Sequence, residues 1–197
     1  MNRLVLRFVL IAIMIPAVSY PAAAGEWRIP FGVAYVSGAT EVFDQLEDNV
    51  RAEYSDVETA EGLPVGLTVQ PYYEFDSGVG LGFGVGPFTY VFGDVDYFGA
   101  PVNVCLRYAF MPKASATPYV RVGASLQLVN GDYVEDRSIG AVGALGLELM
   151  RDRGVSLAIE AGYDSSTIDL LDLTTADPND TEEIEPVGFM LSILAVF

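Results

Sequence analysis

Six ionisable residues stand where a two-residue period would hide them. Arg107, Arg121, Glu148 and Glu160 each fall among the Gly, Ala and Ser positions of a segment whose alternate positions are Val, Leu, Ile, Phe or Tyr. Arg28 and Glu74 do the same nearer the N-terminus. Successive strand residues point to opposite faces, so all six share the face turned away from the apolar one. Three bases and three acids in a confined space are suited to ion pairing, because screening is weak there and a hidden charge needs a partner. The expected role is a salt-bridge network that fills an interior, in preference to a gate or proton path. Catalysis is poorly supplied. The chain contains no His, and Cys105 is its only cysteine. No Ser stands beside a carboxylate with a third, orienting group, so no enzyme, cofactor or catalytic residue is expected. A lone Cys also excludes an intrachain disulfide.

The second chemistry is acidic. Residues 38–62 hold Glu41, Asp44, Glu47, Asp48, Glu53, Asp56, Glu58 and Glu61 against one base, Arg51. Residues 165–186 hold Asp169, Asp172, Asp177, Asp180, Glu182, Glu183 and Glu185 with no base. Runs of like charge first of all solvate a surface and repel neighbours. Carboxylates also suit hard divalent cations such as Ca²⁺ or Mg²⁺, and Asp177, Asn179, Asp180 and Glu182 are dense enough, although their spacing matches no known cation loop. Glu41 to Tyr54 carries Val42, Phe43, Leu46 and Val50 at helical spacing, which predicts a short surface helix or a lid.

These residues need elements to hold them. The first 24 residues read as an export signal, with Arg3 and Arg7 before the apolar run Phe8 to Ile15 and Ala22-Ala23-Ala24 as the cleavage site. Cleavage is expected after Ala24, and the absence of a Cys there excludes a lipoprotein anchor. Those residues contain two of the chain's ten Lys/Arg and none of its 27 Asp/Glu, so residues 25–197 carry a net −19. Such a surface cannot neutralise phosphates, which excludes nucleic acid as a partner. Although 51% of residues are apolar, no later run approaches the roughly 18 apolar residues of a spanning helix.

The remaining apolar residues alternate in eight segments, each with one apolar and one small or polar face. They run from Trp27–Ser37 and Leu63–Phe75, through segments opening at Val79, Val102, Tyr119, Ile139 and Val155, to the last at Val187–Phe197. Long connectors (38–62, 92–101, 130–138, 165–186) alternate with short turns (76–78, 112–117, 152–154). Pro30, Pro64, Pro71 and Pro87 lie in or beside strands and cannot donate to a ladder. Bulges resolve this, and one at Gly86-Pro87 turns Phe88 and Tyr90 outward. Inward Gly residues on the third strand leave room for large neighbours such as Tyr72 and Tyr119. The fold class expected is all-β: a closed antiparallel up-and-down barrel of eight transmembrane strands, occupying residues 25–197.

The polarity of the faces decides which side is wet. A soluble barrel that binds a ligand has an apolar interior, and Gly25-Glu26-Trp27 even fits the G-x-W of lipocalin first strands. Here the second face carries Gly, Ser, Thr, Gln, Arg and Glu, which form no apolar cavity. In hydrocarbon every backbone polar group must be paired, so a spanning sheet closes on itself and turns its apolar face outward. Trp27 and Tyr35 share the outer face eight residues apart, roughly 20 Å at a tilt of about 40°, close to the ~25 Å apolar band between aromatic girdles. Trp27, Tyr35, Tyr73, Tyr108 and Tyr163 are the candidate girdle residues.

The chain ends on Phe197 after an outward stripe of Phe189, Leu191 and Ile193. With the export signal and the eight-strand pattern, it resembles the small outer-membrane β-barrels, the group that includes the OmpA membrane domain, OmpX and OmpW. The resemblance covers the whole mature chain and picks out no subfamily. It implies outer-membrane lipid as the surroundings and recognition of the terminal stripe by the barrel assembly machinery. No room is expected for a further domain after strand eight, whose inner face (Met190, Leu194, Val196) is unusually apolar. Small barrels that act on lipid A rely on a His base near a Ser, and with no His that activity is not expected. What the resemblance leaves is a structural or surface-interacting barrel working through its acidic loops, or alternatively a narrow transport barrel for small or hydrophobic solutes.

Overall fold

The computed structural model describes residues 25–53, 63–91, 97–175 and 180–197. In chain order its elements are β1 (Gly25–Arg28), β2 (Pro30–Val36), α1 (Gly38–Glu53), β3 (Val65–Val69), β4 (Tyr72–Phe75), β5 (Val79–Val85) and β6 (Thr89–Val91). There follow β7 (Tyr97–Ala109), β8 (Ala116–Gly131), β9 (Val134–Arg137), β10 (Ile139–Leu149), β11 (Ser156–Asp164), β12 (Ile168–Leu171), β13 (Thr181–Ile184) and β14 (Gly188–Val196).

Eleven of these strands form one antiparallel sheet that closes into a barrel of eight staves. β1 and β2 make the first stave, β3 and β4 the second, β5 and β6 the third. Then come β7, β8, β10, β11 and β14, each a stave by itself. The last stave pairs with the first from Val196↔Pro30 to Met190↔Val36. Below that ladder the Ile29 N–H donates to the Phe197 carbonyl at 2.9 Å. Among the described residues this pairing closes the sheet into a ring, as spanning hydrocarbon requires.

Prolines divide the first two staves. β2 pairs with β3 and β1 with β4, and the interruption falls at Ile29 and at Gln70-Pro71. The second stave is therefore two strands, and Leu63, expected inside it, lies before β3. Pro71 supplies no donor, but its carbonyl accepts from the Phe83 N–H at 3.1 Å. On the third stave Gly80, Gly82 and Gly84 are buried while Leu81 is exposed. The phase reverses at Gly86, whose φ of 92° suits glycine, so that Thr89 is buried and Tyr90 exposed.

The outer face is a continuous apolar surface. Trp27, Ile29, Phe31, Val33 and Tyr35 on the first stave, Val104, Leu106 and Tyr108 on β7, Leu145 on β10 and Phe189, Leu191 and Ile193 on β14 are all exposed. Val187 departs from the expected outward stripe. It is 1% exposed and packs with Val36, Val42 and Leu46, because Gly188, the first residue of β14, has a φ of 57° that redirects the chain there.

The end of the barrel opposite the short turns is covered. α1 starts three residues earlier than its apolar spacing indicates and ends at Glu53. It presents Ala39, Val42, Phe43, Leu46 and Val50 to the barrel and Glu41, Asp44 and Asp48 to solvent. Glu41 in the first turn and Arg51 in the last complement the helix dipole, and Arg51 pairs with Glu47 one turn back. Gly38 lets the helix begin against the chain before β14: a side chain there would run into the Glu185 carbonyl. The connectors expected over 130–138 and 165–186 are partly strand. β13, β12 and β9 form a separate three-stranded sheet beside α1. Residues 97–101, expected in a loop, extend β7.

Candidate functional site: the lumen and its cap

The inward charges assemble in two tiers. β7 and β8 set Arg107 directly opposite Arg121, a like-charge pairing that is unfavourable unless each base has its own acids. They turn apart. Arg107 bonds Glu74 on β4 at 2.7 Å and Glu148 on β10 at 2.8 Å. Arg121 grips both carboxylate oxygens of Glu160 on β11, at 2.6 and 3.3 Å, and reaches Asn103 at 3.4 Å.

The lower tier, toward the short turns, gathers more groups. Arg28 donates to Glu148 at 2.5 Å and to Ser156 at 3.2 Å, and the Ser156 hydroxyl donates to Glu148 at 2.6 Å. The other side of Arg28 meets the exposed Glu26. Sequence reasoning missed Arg151, which pairs with Glu74 and, at 3.3 Å, with Glu148. Strict alternation from Leu147 and Leu149 puts residue 151 outside. Met150 adopts a left-handed φ of 58° and reverses the phase, so Arg151 is buried.

Tyr119 joins the tiers. Its ring lies 3.8 Å from the Arg107 guanidinium, and its hydroxyl donates to Glu160 at 3.1 Å. The Arg107 guanidinium also lies over the Tyr72 ring, 4.7 Å from its centroid. Tyr72 fits against Gly82 of the third stave. Tyr119, expected there too, instead lies against Gly146 of β10, where a Cβ would enter its ring. A cavity of about 10 Å³ between the tiers is lined by Tyr72, Cys105, Arg107, Tyr119, Arg121 and Glu160, among others, space for one water at most.

Above the second tier, Gln127 donates to Ser166 at 2.7 Å and Ser166 to Asp164 at 2.6 Å. An apolar layer follows, in which Val36, Val142 and Met190 from the wall meet Val42, Phe43 and Leu46 of α1. Asn49 fastens the helix. It is fully buried, donates to the Leu171 carbonyl at 2.6 Å and accepts from the Leu173 N–H at 2.9 Å. Ionised residues outside the wall are tuned by local hydroxyls. Thr174, through its side chain and then its N–H, holds Asp172 below the usual carboxylate range, and Ser115 does so for Asp152 in a short turn.

The five girdle candidates all lie on the outer face, in two groups. Trp27 and Tyr73 meet edge to face at 5.7 Å, and Tyr108 sits with Phe110 at 5.2 Å, toward the short turns. Tyr35 and Tyr163 lie toward the cap, where Tyr163 bonds Glu185. Phe189, Leu191, Ile193 and Phe197 share the outer face of the last stave. Among the described residues, no group of three or more acidic, His or Cys side chains is placed to hold a metal. Asp56, Glu58, Glu61, Asp177, Asn179 and the export signal lie outside the described residues.

The fold is that of the small eight-stranded outer-membrane β-barrels. The outer-membrane protein OprG from Pseudomonas aeruginosa superposes with a TM-score of 0.55 at 12% identity, over 88% of this chain and 95% of that one. Neisserial surface protein A superposes with a TM-score of 0.51 at 12% identity, over 86% of this chain and 94% of that one. No protein-family model matches the sequence, and no curated protein matches it.

Proposed function

We propose that the chain is an integral outer-membrane barrel with a sealed lumen, non-enzymatic, which acts through the acidic surface of its cap. The filled lumen carries this reading: two tiers of ion pairs and an apolar layer under α1 occupy the interior from the short turns to the cap. A solute passing through would have to separate buried pairs, leaving unpaired charges at a cost of about 3–5 kcal/mol each. Transport through the lumen is therefore disfavoured. The fold and the exposed apolar belt support residence in outer-membrane lipid, with the aromatic residues at its two margins; cleavage of the export signal after Ala24 rests on the sequence pattern of Arg3, Arg7 and Ala22-Ala23-Ala24 alone. In the same reading, the assembly machinery recognises Phe189, Leu191, Ile193 and Phe197.

The cap supplies the working surface. Glu41, Asp44 and Asp48 on α1 and Glu182 and Glu183 on β13 face solvent, a display suited to cationic partners or to divalent cations that bridge carboxylates to neighbouring anionic groups. Reconstitution into liposomes tests the seal. Vesicles containing the protein should swell in isotonic arabinose or glycine no faster than empty ones. Swelling that scales with protein content would favour the transport alternative instead.

A further inference from the structure

Seven of the eight junctions between staves are joined by a connecting segment of chain. The junction of β14 with the first stave is the exception, because there the two ends of the barrel meet and only non-covalent contacts hold them. Opening of a closed sheet begins where local stability is least, and this seam is the natural place.

β14 contributes no charge to the lumen network. Its inward Leu194 and Val196 pack with Ala109, Tyr119 and Ala158, and the buried hydroxyl of Ser192 makes no hydrogen bond. The unusually apolar inner face of the last strand thereby has a structural counterpart: nothing on it can be gripped by an ion pair. The grip comes from the next stave on either side. In the barrel order β14 stands between β2 and β11. Arg28 on the first stave nevertheless bonds Ser156 on β11 at 3.2 Å and Glu148 on β10 at 2.5 Å. A side chain making those bonds from inside the barrel must cross the inner face of β14. The register puts the crossing at the terminal end of β14, below Val196, which pairs with Ser156 on one side and Pro30 on the other, while Ile29 bonds Phe197. Arg28 is the next inward position after Pro30 toward the short turns.

We propose that Arg28 is a strap across the seam: anchored to Ser156 and Glu148, it clamps the last strand against the first and controls opening of the β2–β14 junction. Arg121 provides the comparison. Its bond to Glu160 links β8 to β11 across β10, staves already joined by chain, and spans no free junction.

Amide hydrogen exchange of the full barrel in lipid nanodiscs tests the strap. Arg28→Met keeps the length of the side chain and removes its bonds. It should speed exchange in the β2–β14 ladder about tenfold or more relative to the β8–β10 ladder, as expected for loss of hydrogen bonds to a charged group. Ser156→Ala, which keeps the Arg28–Glu148 pair, should give a smaller increase confined to the same ladder. Arg121→Met should show no preference for the seam. Uniform acceleration in Arg28→Met, or equal loosening of the seam by Arg121→Met, would overturn the proposal. If Arg28→Met does not fold, Ser156→Ala decides alone: a seam-selective increase supports the strap and unchanged exchange refutes it.

Discussion

Arg121 and Glu160 are both almost fully buried, so each depends on the other for its charge to be tolerated. Removing one leaves the second uncompensated, which costs far more than the pair contributes to stability as a unit. Arg121→Ala should therefore lower unfolding free energy by about 3–5 kcal/mol, read as a shifted midpoint in urea titration of the protein in lipid vesicles. Replacing both residues with Leu should recover much of the loss. A midpoint unchanged by Arg121→Ala would argue against a working network. Gly146 tests the packing of the same region. Gly146→Val forces its side chain into the Tyr119 ring, which displaces the stack on Arg107, and should destabilise by about 1–3 kcal/mol. The six charged positions could be read from the sequence because each keeps phase with its strand. Arg151 could not, since the left-handed turn at Met150 that redirects it has no marker such as Gly or Asn.

At the scale of elements, the staves follow from alternation, and the cap does not. An outer face that meets lipid and an inner face that meets charge give opposite residue types at every second position, so Ile159 and Glu160 or Leu147 and Glu148 declare their sides. In the cap, β12 is only four residues long. Ile168 and Leu170 are buried there against α1 and β13, a short pattern lost in an acidic stretch. α1 announced its apolar face but not its start, because Gly38 is selected by contact with Glu185 and not by helix preference. Two measurements probe how the cap is fastened. Asn49→Ala leaves the Leu171 carbonyl with only the longer bond from Gln45 at 3.4 Å and takes the side-chain acceptor from the half-buried Leu173 N–H, at about 1 kcal/mol or somewhat more. Limited proteolysis should then cut the cap faster while the barrel resists as before. Asp172 adds a pH dependence. Donors from Thr174 favour its ionised form, so its folded pKa lies below the unfolded value of about 3.9. The associated stability is present above roughly pH 4 and fades as pH falls through the folded value. NMR titration should show Thr174→Ala moving Asp172 upward.

At the scale of the molecule, three surfaces divide the work. The belt of Trp27, Phe31, Val33, Leu145 and Ile193 is matched to hydrocarbon, the lumen is filled by paired charge, and the cap is acidic. The net −19 of residues 25–197 disfavours approach of anionic surfaces and favours cationic ones, in a manner that added salt screens. On the proposed reading the charged tiers and the apolar layer fill the lumen, so conduction is the property on which the sealed barrel stands or falls. Ion conductance of the reconstituted protein across a planar bilayer measures it directly. The filled lumen predicts current no greater than that of the bare membrane over the range in which the barrel stays folded, and a stable open-channel conductance from the unaltered chain would contradict it.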